Sequence, residues 1–160
     1  MTFDNSKTII RLRLRLFIAT LVMLVYVFVV YYGKQLRFPV FGIEESLATF
    51  VLTTAYLLLA FLPLLLKYKY IYFSDDGTSI IFRYYSVGLF SGNKNSVEIP
   101  KDEFAGYKIK KPFPGLVISI ILYRRMRNKV ASYSPVYISS LSKSEISKIK
   151  KALNKYNHKQ

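Results

Sequence analysis

Two apolar runs near the start of the chain, Leu16 to Tyr32 and Leu47 to Leu66, contain no Asp, Glu, Lys, Arg or His. As helices they reach about 26 Å and about 30 Å, against a hydrocarbon core of about 30 Å. Such runs have two outlets, a buried protein core or a bilayer. A chain of 160 residues is too short to wrap two of them in protein. A membrane-spanning hairpin over residues 16–32 and 47–66 is the expectation. A cleaved leader fits the first run poorly, because Tyr31-Tyr32-Gly33-Lys34-Gln35 offers no pair of small residues at a cleavage spacing.

The flanking residues set the expected orientation. Lys7, Arg11, Arg13 and Arg15 precede the first run, and Lys67 and Lys69 follow the second at once. The connecting loop carries Lys34 and Arg37 against Glu44 and Glu45. Cations concentrate on the cytoplasmic side of spanning helices, so both termini are expected there. Arg11, Arg13, Arg15, Lys67 and Lys69 would anchor one interface and Tyr31 and Tyr32 the other.

Of the 24 Lys and Arg, 18 lie from Lys67 onward against six acidic residues, which leaves this segment at +12. A basic segment tethered beside a bilayer gains about 1 kcal/mol per cation near anionic lipid without any specific site. Anionic headgroups and an unidentified protein are therefore the expected partners, and nucleic acid is not. The absence of cysteine excludes thiol nucleophiles, disulfides and cysteine-ligated metals. The lone His158 sits in Asn157-His158-Lys159-Gln160, a stretch expected to fray. No phosphate-binding glycine loop or nucleophile elbow occurs. No catalytic residue, cofactor or metal ligand is expected, and the chain does not read as an enzyme.

After Leu66 short runs rich in Tyr, Ile, Phe and Val alternate with turn residues, the pattern of an antiparallel β assembly. Strands are expected at 68–74 and 79–86 around the turn Asp75-Asp76-Gly77-Thr78, then at 96–99, 104–110, 116–123, 129–134 and 136–139. Residues 87–95 read as a loop, and Lys111-Pro112-Phe113-Pro114-Gly115 reads as a break. Leu116 to Tyr123 is apolar on both faces and too short to span a bilayer as a helix, so it is expected to be a buried strand. Ser142-Lys143-Ser144-Glu145 is a capping box opening a helix whose Ile146, Ile149, Leu153 and Tyr156 form one stripe. The expected class is an α+β membrane protein, with residues 1–69 as the helical hairpin and 70–157 as the β domain.

About seven strands closed by one amphipathic helix resembles the pleckstrin-homology-like fold. With the two-helix hairpin in front, the chain is similar to membrane-anchored bacterial PH-like proteins. The nearest local match is Val97-Glu98-Ile99-Pro100-Lys101-Asp102-Glu103-Phe104, an apolar-Pro strand end, an acidic loop and an apolar entry to the next strand. The resemblance implies a barrel or two orthogonal sheets plugged by the last helix, on the cytoplasmic face of a bacterial inner membrane. It does not carry inositide recognition here, because Asp75 and Asp76 stand in the loop where that chemistry needs cations. If an anionic contact exists, Lys110, Lys111, Arg124, Arg125, Arg127 and Lys129 would make it, since they fall at strand ends. The function implied is a non-catalytic adaptor. The alternative is an accessory subunit of a larger membrane complex, bound through its helical hairpin, where Thr49, Thr53, Thr54 and Ala60 favour helix contacts. Self-association is compatible with both.

Overall fold

A computed structural model describes residues 1–33, 38–39, 42–87, 92–113, 115–127 and 129–157. Its class is α+β, with two long apolar helices and two antiparallel sheets. The chain divides into two compact units, Met1–Ile9 with Leu64–Gln160, and Ile10–Pro63. The first nine residues thus belong to the β unit, whereas the sequence assigned them to the hairpin.

That difference comes from a strand too short to be seen in sequence. β1 (Thr2–Asp4) pairs antiparallel with β2 (Lys69–Ser74), with Thr2 opposite Ser74 and Asp4 opposite Tyr72. Asn5 ends the strand. Its backbone N–H donates to the Ile71 carbonyl, and its side-chain oxygen accepts from the Ile71 N–H at 2.8 Å. Its Nδ2 donates to the Lys69 carbonyl and to Ser140 Oγ, each at 3.0 Å. Asn5 is 1% exposed, so every polar atom of its amide needs a partner, and each has one. The Asn5 carbonyl then accepts from Thr8 and Ile9, which starts α1 (Ser6–Val27).

α1 begins ten residues before the apolar run and carries Lys7, Arg11, Arg13 and Arg15 on helical backbone. A π-helical turn, Phe28–Tyr32, ends it, closed by the Gly33 N–H on the Phe28 carbonyl at 2.8 Å. α2 spans Glu45–Leu65. Within the helical unit Tyr26 and Tyr31 hydroxyls meet Thr49 Oγ1 at 2.7 and 3.2 Å, and Thr20 meets Tyr56 at 3.2 Å. Thr49 is therefore occupied by the first helix. Both helices are long and apolar enough to cross a membrane, and only 6% and 11% of their apolar windows are buried inside the protein. They are not core helices. Lys34 and Arg37 of the connecting loop lie outside the described residues.

In the β unit the first sheet runs β1-β2-β3-β4, with β3 at Ser79–Ser86 and β4 at Asn95–Pro100. A turn at Lys101–Glu103 leads to the second sheet: β5 (Phe104–Phe113), β6 (Val117–Met126), β7 (Lys129–Ser132) and β8 (Val136–Tyr137). β5 covers one edge of β6, while β7 and β8 follow one another along the other. Among the described residues there are eight strands, against about seven expected, and the sheets do not close into a barrel. The expected break at 111–115 starts late: β5 continues through Pro112 to Phe113, because pairing with β6 outweighs the turn signal and an edge strand tolerates a missing donor. Gly106 sits at a register shift with φ +121°, a backbone that L side chains rarely adopt.

The core draws on both sheets. Ile71 and Phe73 of β2, Ile80 and Phe82 of β3, Ile99 of β4, and Ile120 and Leu122 of β6 are all fully buried. Ser119 to Leu122 are buried consecutively, as expected for a strand covered on both faces. α3 (Lys143–Asn154) closes this core with Ile149, Ala152 and Leu153, and the capping box at Ser142 and Glu145 forms as expected. His158 lies outside the described residues.

Asn5→Ala is expected to destabilise the β unit by about 1–3 kcal/mol, since the buried Ile71 N–H loses its partner. Denaturant unfolding of the detergent-solubilised chain reads this, and a cost below about 0.5 kcal/mol would deny the closure its role. Ser142→Ala should cost about 1 kcal/mol through loss of the α3 cap.

Candidate functional site

The six cations expected to form an anionic contact do not come together. Lys110 lies opposite Ser119 on β6, and Lys111 follows it toward the β5–β6 tip. Arg125 and Lys129 flank the β6–β7 turn, where Arg127 takes φ +45°. Seven residues of strand separate Ser119 from Met126, about 24 Å. The set forms two clusters at opposite ends of β6, not one site. Arg124 belongs to neither, because its Nε donates to Glu103 Oε2 at 2.5 Å and its guanidinium reaches the Tyr133 hydroxyl at 3.5 Å. The Glu103 carboxylate makes the Arg124 guanidinium hold its proton more firmly than free arginine does.

Lys67 and Lys69 pack against tyrosines instead of standing free. Lys67 adopts φ +52° just past α2, donates to the Tyr137 hydroxyl at 3.1 Å and lies 4.5 Å from that ring's centre. Lys69 lies 4.8 Å from the Tyr84 centre and 5.5 Å from that of Tyr137. Burial lowers the Lys69 pKa, against which Tyr137 acts. Arg11, Arg13, Arg15, Tyr31 and Tyr32 are exposed along α1 and its π turn.

A different cluster forms on the outer face of the first sheet. Residues of β2 and β3 alternate between core and surface, so Ile71, Phe73 and Phe82 point inward while Tyr70, Tyr72, Arg83 and Tyr85 share the opposite face. Tyr70 stacks on Tyr85 with ring centres 4.7 Å apart. The Arg83 guanidinium lies 5.8 Å from the centre of Tyr72. With Lys94, Asn95 and Ser96 these residues line an open hollow of about 320 Å³. Arg83 makes no ion pair among the described residues. Its guanidinium can therefore grip a carboxylate or phosphate while the tyrosines supply flat apolar area and hydroxyl donors. The sequence carried a usable signal for this face, the period of two that puts every second residue of Tyr70–Phe73 and Phe82–Tyr85 on one side.

Several carboxylates have structural partners. Asp75 and Asp76 receive the Met1 ammonium, and Asp76 also receives the Thr2 hydroxyl. Glu103 holds Arg124 and Glu145 caps α3. Asp4 accepts from the Ser6 hydroxyl at 2.6 Å and the Ser6 N–H at 3.0 Å, with the Tyr70 hydroxyl at 3.2 Å. Comparison with protein-family models, curated proteins and solved structures finds no match for this chain.

The Ser6 hydroxyl and then its N–H hold the Asp4 carboxyl below its ordinary pKa of 3.8. A lowered carboxylate contributes stability that is present above the ordinary value and lost as pH falls through the lowered one. Acid unfolding below pH 3.8 should therefore loosen β1 first, and Asp4→Asn should flatten that limb of the stability curve. Hydrogen exchange at the β1 amides reads it. Identical acid limbs in both proteins would dismiss Asp4.

Proposed function

We propose that this chain is a non-catalytic, membrane-anchored module, PH-like in architecture, that holds an adaptor surface for a protein or anionic lipid at the cytoplasmic face of a bacterial inner membrane. The observation that carries the reading is the closure at Asn5. The segment before α1 and the segment after α2 belong to one sheet, so a hairpin made of the two apolar helices begins and ends on the same side of whatever it crosses. The cations at those two junctions favour the cytoplasmic side. The helices' apolar faces lack protein cover, which a bilayer would supply.

The resemblance to the PH-like fold draws support from the two antiparallel sheets, the buried strand β6 and the capped α3 sealing their core. The adaptor surface is the Tyr70, Tyr72, Arg83 and Tyr85 face, where a guanidinium with no ion pair among the described residues meets aromatic area. The structural engagement of Asp4, Asp75, Asp76, Glu103 and Glu145 favours binding over catalysis.

The chain has no cysteine, so single substitutions report cleanly. Thr78→Cys should react with a membrane-impermeant maleimide only after the cells are opened, whereas Ser46→Cys should react from outside. The reverse pattern would overturn the orientation. Affinity capture in mild detergent with Arg83→Ala should lose at least about tenfold of the partner, the scale of a hot-spot arginine. Full retention by Arg83→Ala combined with loss on Thr53→Leu and Thr54→Leu would favour the alternative, recognition by the helical hairpin.

A further inference from the structure

Four residues of β5 run past the core. From Lys110 to Phe113 every residue is exposed, although the strand remains paired toward its tip, where Phe113 faces Val117. Phe113 and Leu116 at that tip are 64% and 59% exposed. A ribbon that ends in two large apolar side chains behind two lysines has a cost in water and gains nothing from the protein's own core.

The position of this tip within the β unit is informative. Lys110, Ser119 and Tyr137 form one row across β5, β6 and β8. The Tyr137 hydroxyl accepts from Lys67, which stands two residues beyond the end of α2 at Leu65. Phe113 and Val117 extend about 7 Å past that row along β6. The β6–β7 turn has similar composition, with Met126 51% and Val130 60% exposed among Arg125, Arg127 and Lys129. It lies at the other end of β6, about 30 Å from Val117. Composition does not separate the two tips, and position does.

We propose that the β5–β6 tip is a second membrane contact: Phe113 and Leu116 enter the headgroup–acyl boundary of the leaflet from which α2 emerges, and Lys110 and Lys111 lie on its anionic headgroups. This rests on the membrane-anchored reading above. The apolar pair supplies an insertion term indifferent to salt, and each lysine adds an electrostatic term of about fivefold that salt screens.

The full chain, labelled with an environment-sensitive fluorophore at one introduced cysteine, is reconstituted in vesicles of phosphatidylcholine with phosphatidylglycerol. At Phe113→Cys the emission should shift to the blue and be quenched by lipid carrying a nitroxide high on its acyl chain, with Leu116→Cys repeating the result. At Met126→Cys the label should stay water-like, and at Leu58→Cys, in the middle of α2, a deep nitroxide should quench it. Lys110→Gln with Lys111→Gln should lower the inserted fraction at Phe113→Cys about fivefold per lysine at low salt, and leave it unchanged in phosphatidylcholine alone. A water-like label at Phe113→Cys and Leu116→Cys with a quenched one at Leu58→Cys overturns the tip contact alone. Equal quenching at Phe113→Cys and Met126→Cys overturns its placement, and a water-like label at Leu58→Cys overturns the anchored reading as well.

Discussion

The pairing of three residues before the first helix with a strand after the second is the constraint on which the rest of the structure depends. Thr2 to Asp4 add one edge to the first sheet, and Asn5 locks that edge with hydrogen bonds to Lys69, Ile71 and Ser140. The same residue ends a strand, fills a buried polar site and starts α1. A satisfied buried amide is demanding because any loss leaves a desolvated group behind. The closure thereby uses a side chain that both donates and accepts, as the asparagine amide does.

On the β unit the division of labour between faces follows from strand alternation. The inner faces of both sheets and the stripe of α3 share one apolar core, with the ring centres of Phe73 and Phe82 4.9 Å apart. The outer face of the first sheet collects tyrosines and Arg83, while acidic groups such as Asp4 and Glu103 fix local structure. What remains outward is a surplus of cations, at hairpin tips and along α3. An adaptor proposal uses the aromatic face, and a lipid contact uses one tip. The two are spatially separate demands on the same small module.

Much of the β unit was legible in the sequence, for reasons that are local. Asp75-Asp76-Gly77-Thr78 combines turn formers with a glycine at φ +74°, and β2 and β3 flank it as the flanking apolar runs require. The α3 cap and stripe are likewise short-range patterns that packing reinforces. β1 was not legible, because three residues carry no measurable period and their partner is nearly 70 positions away. α1 reaches back to Ser6 through Lys7 to Arg15, because arginine and leucine are both good helix formers. Lys110 and the run from Arg124 to Lys129 lie toward opposite ends of β6, since closeness along the chain to a long strand does not say which of its ends a residue occupies.

The position of β1 in the chain also orders assembly. The edge strand of the first sheet is synthesised before either apolar helix, and its partner Tyr72 to Ser74 only after both. No local pairing can satisfy β1 in the interval, so the sheet stays one strand short until the whole helical segment has been made. A chain interrupted within α2 exposes an unpaired strand end with Asn5 unsatisfied, whereas a finished chain hides both. Completion of the helical segment is thus written into the sheet itself, as a strand that can be filled only from behind.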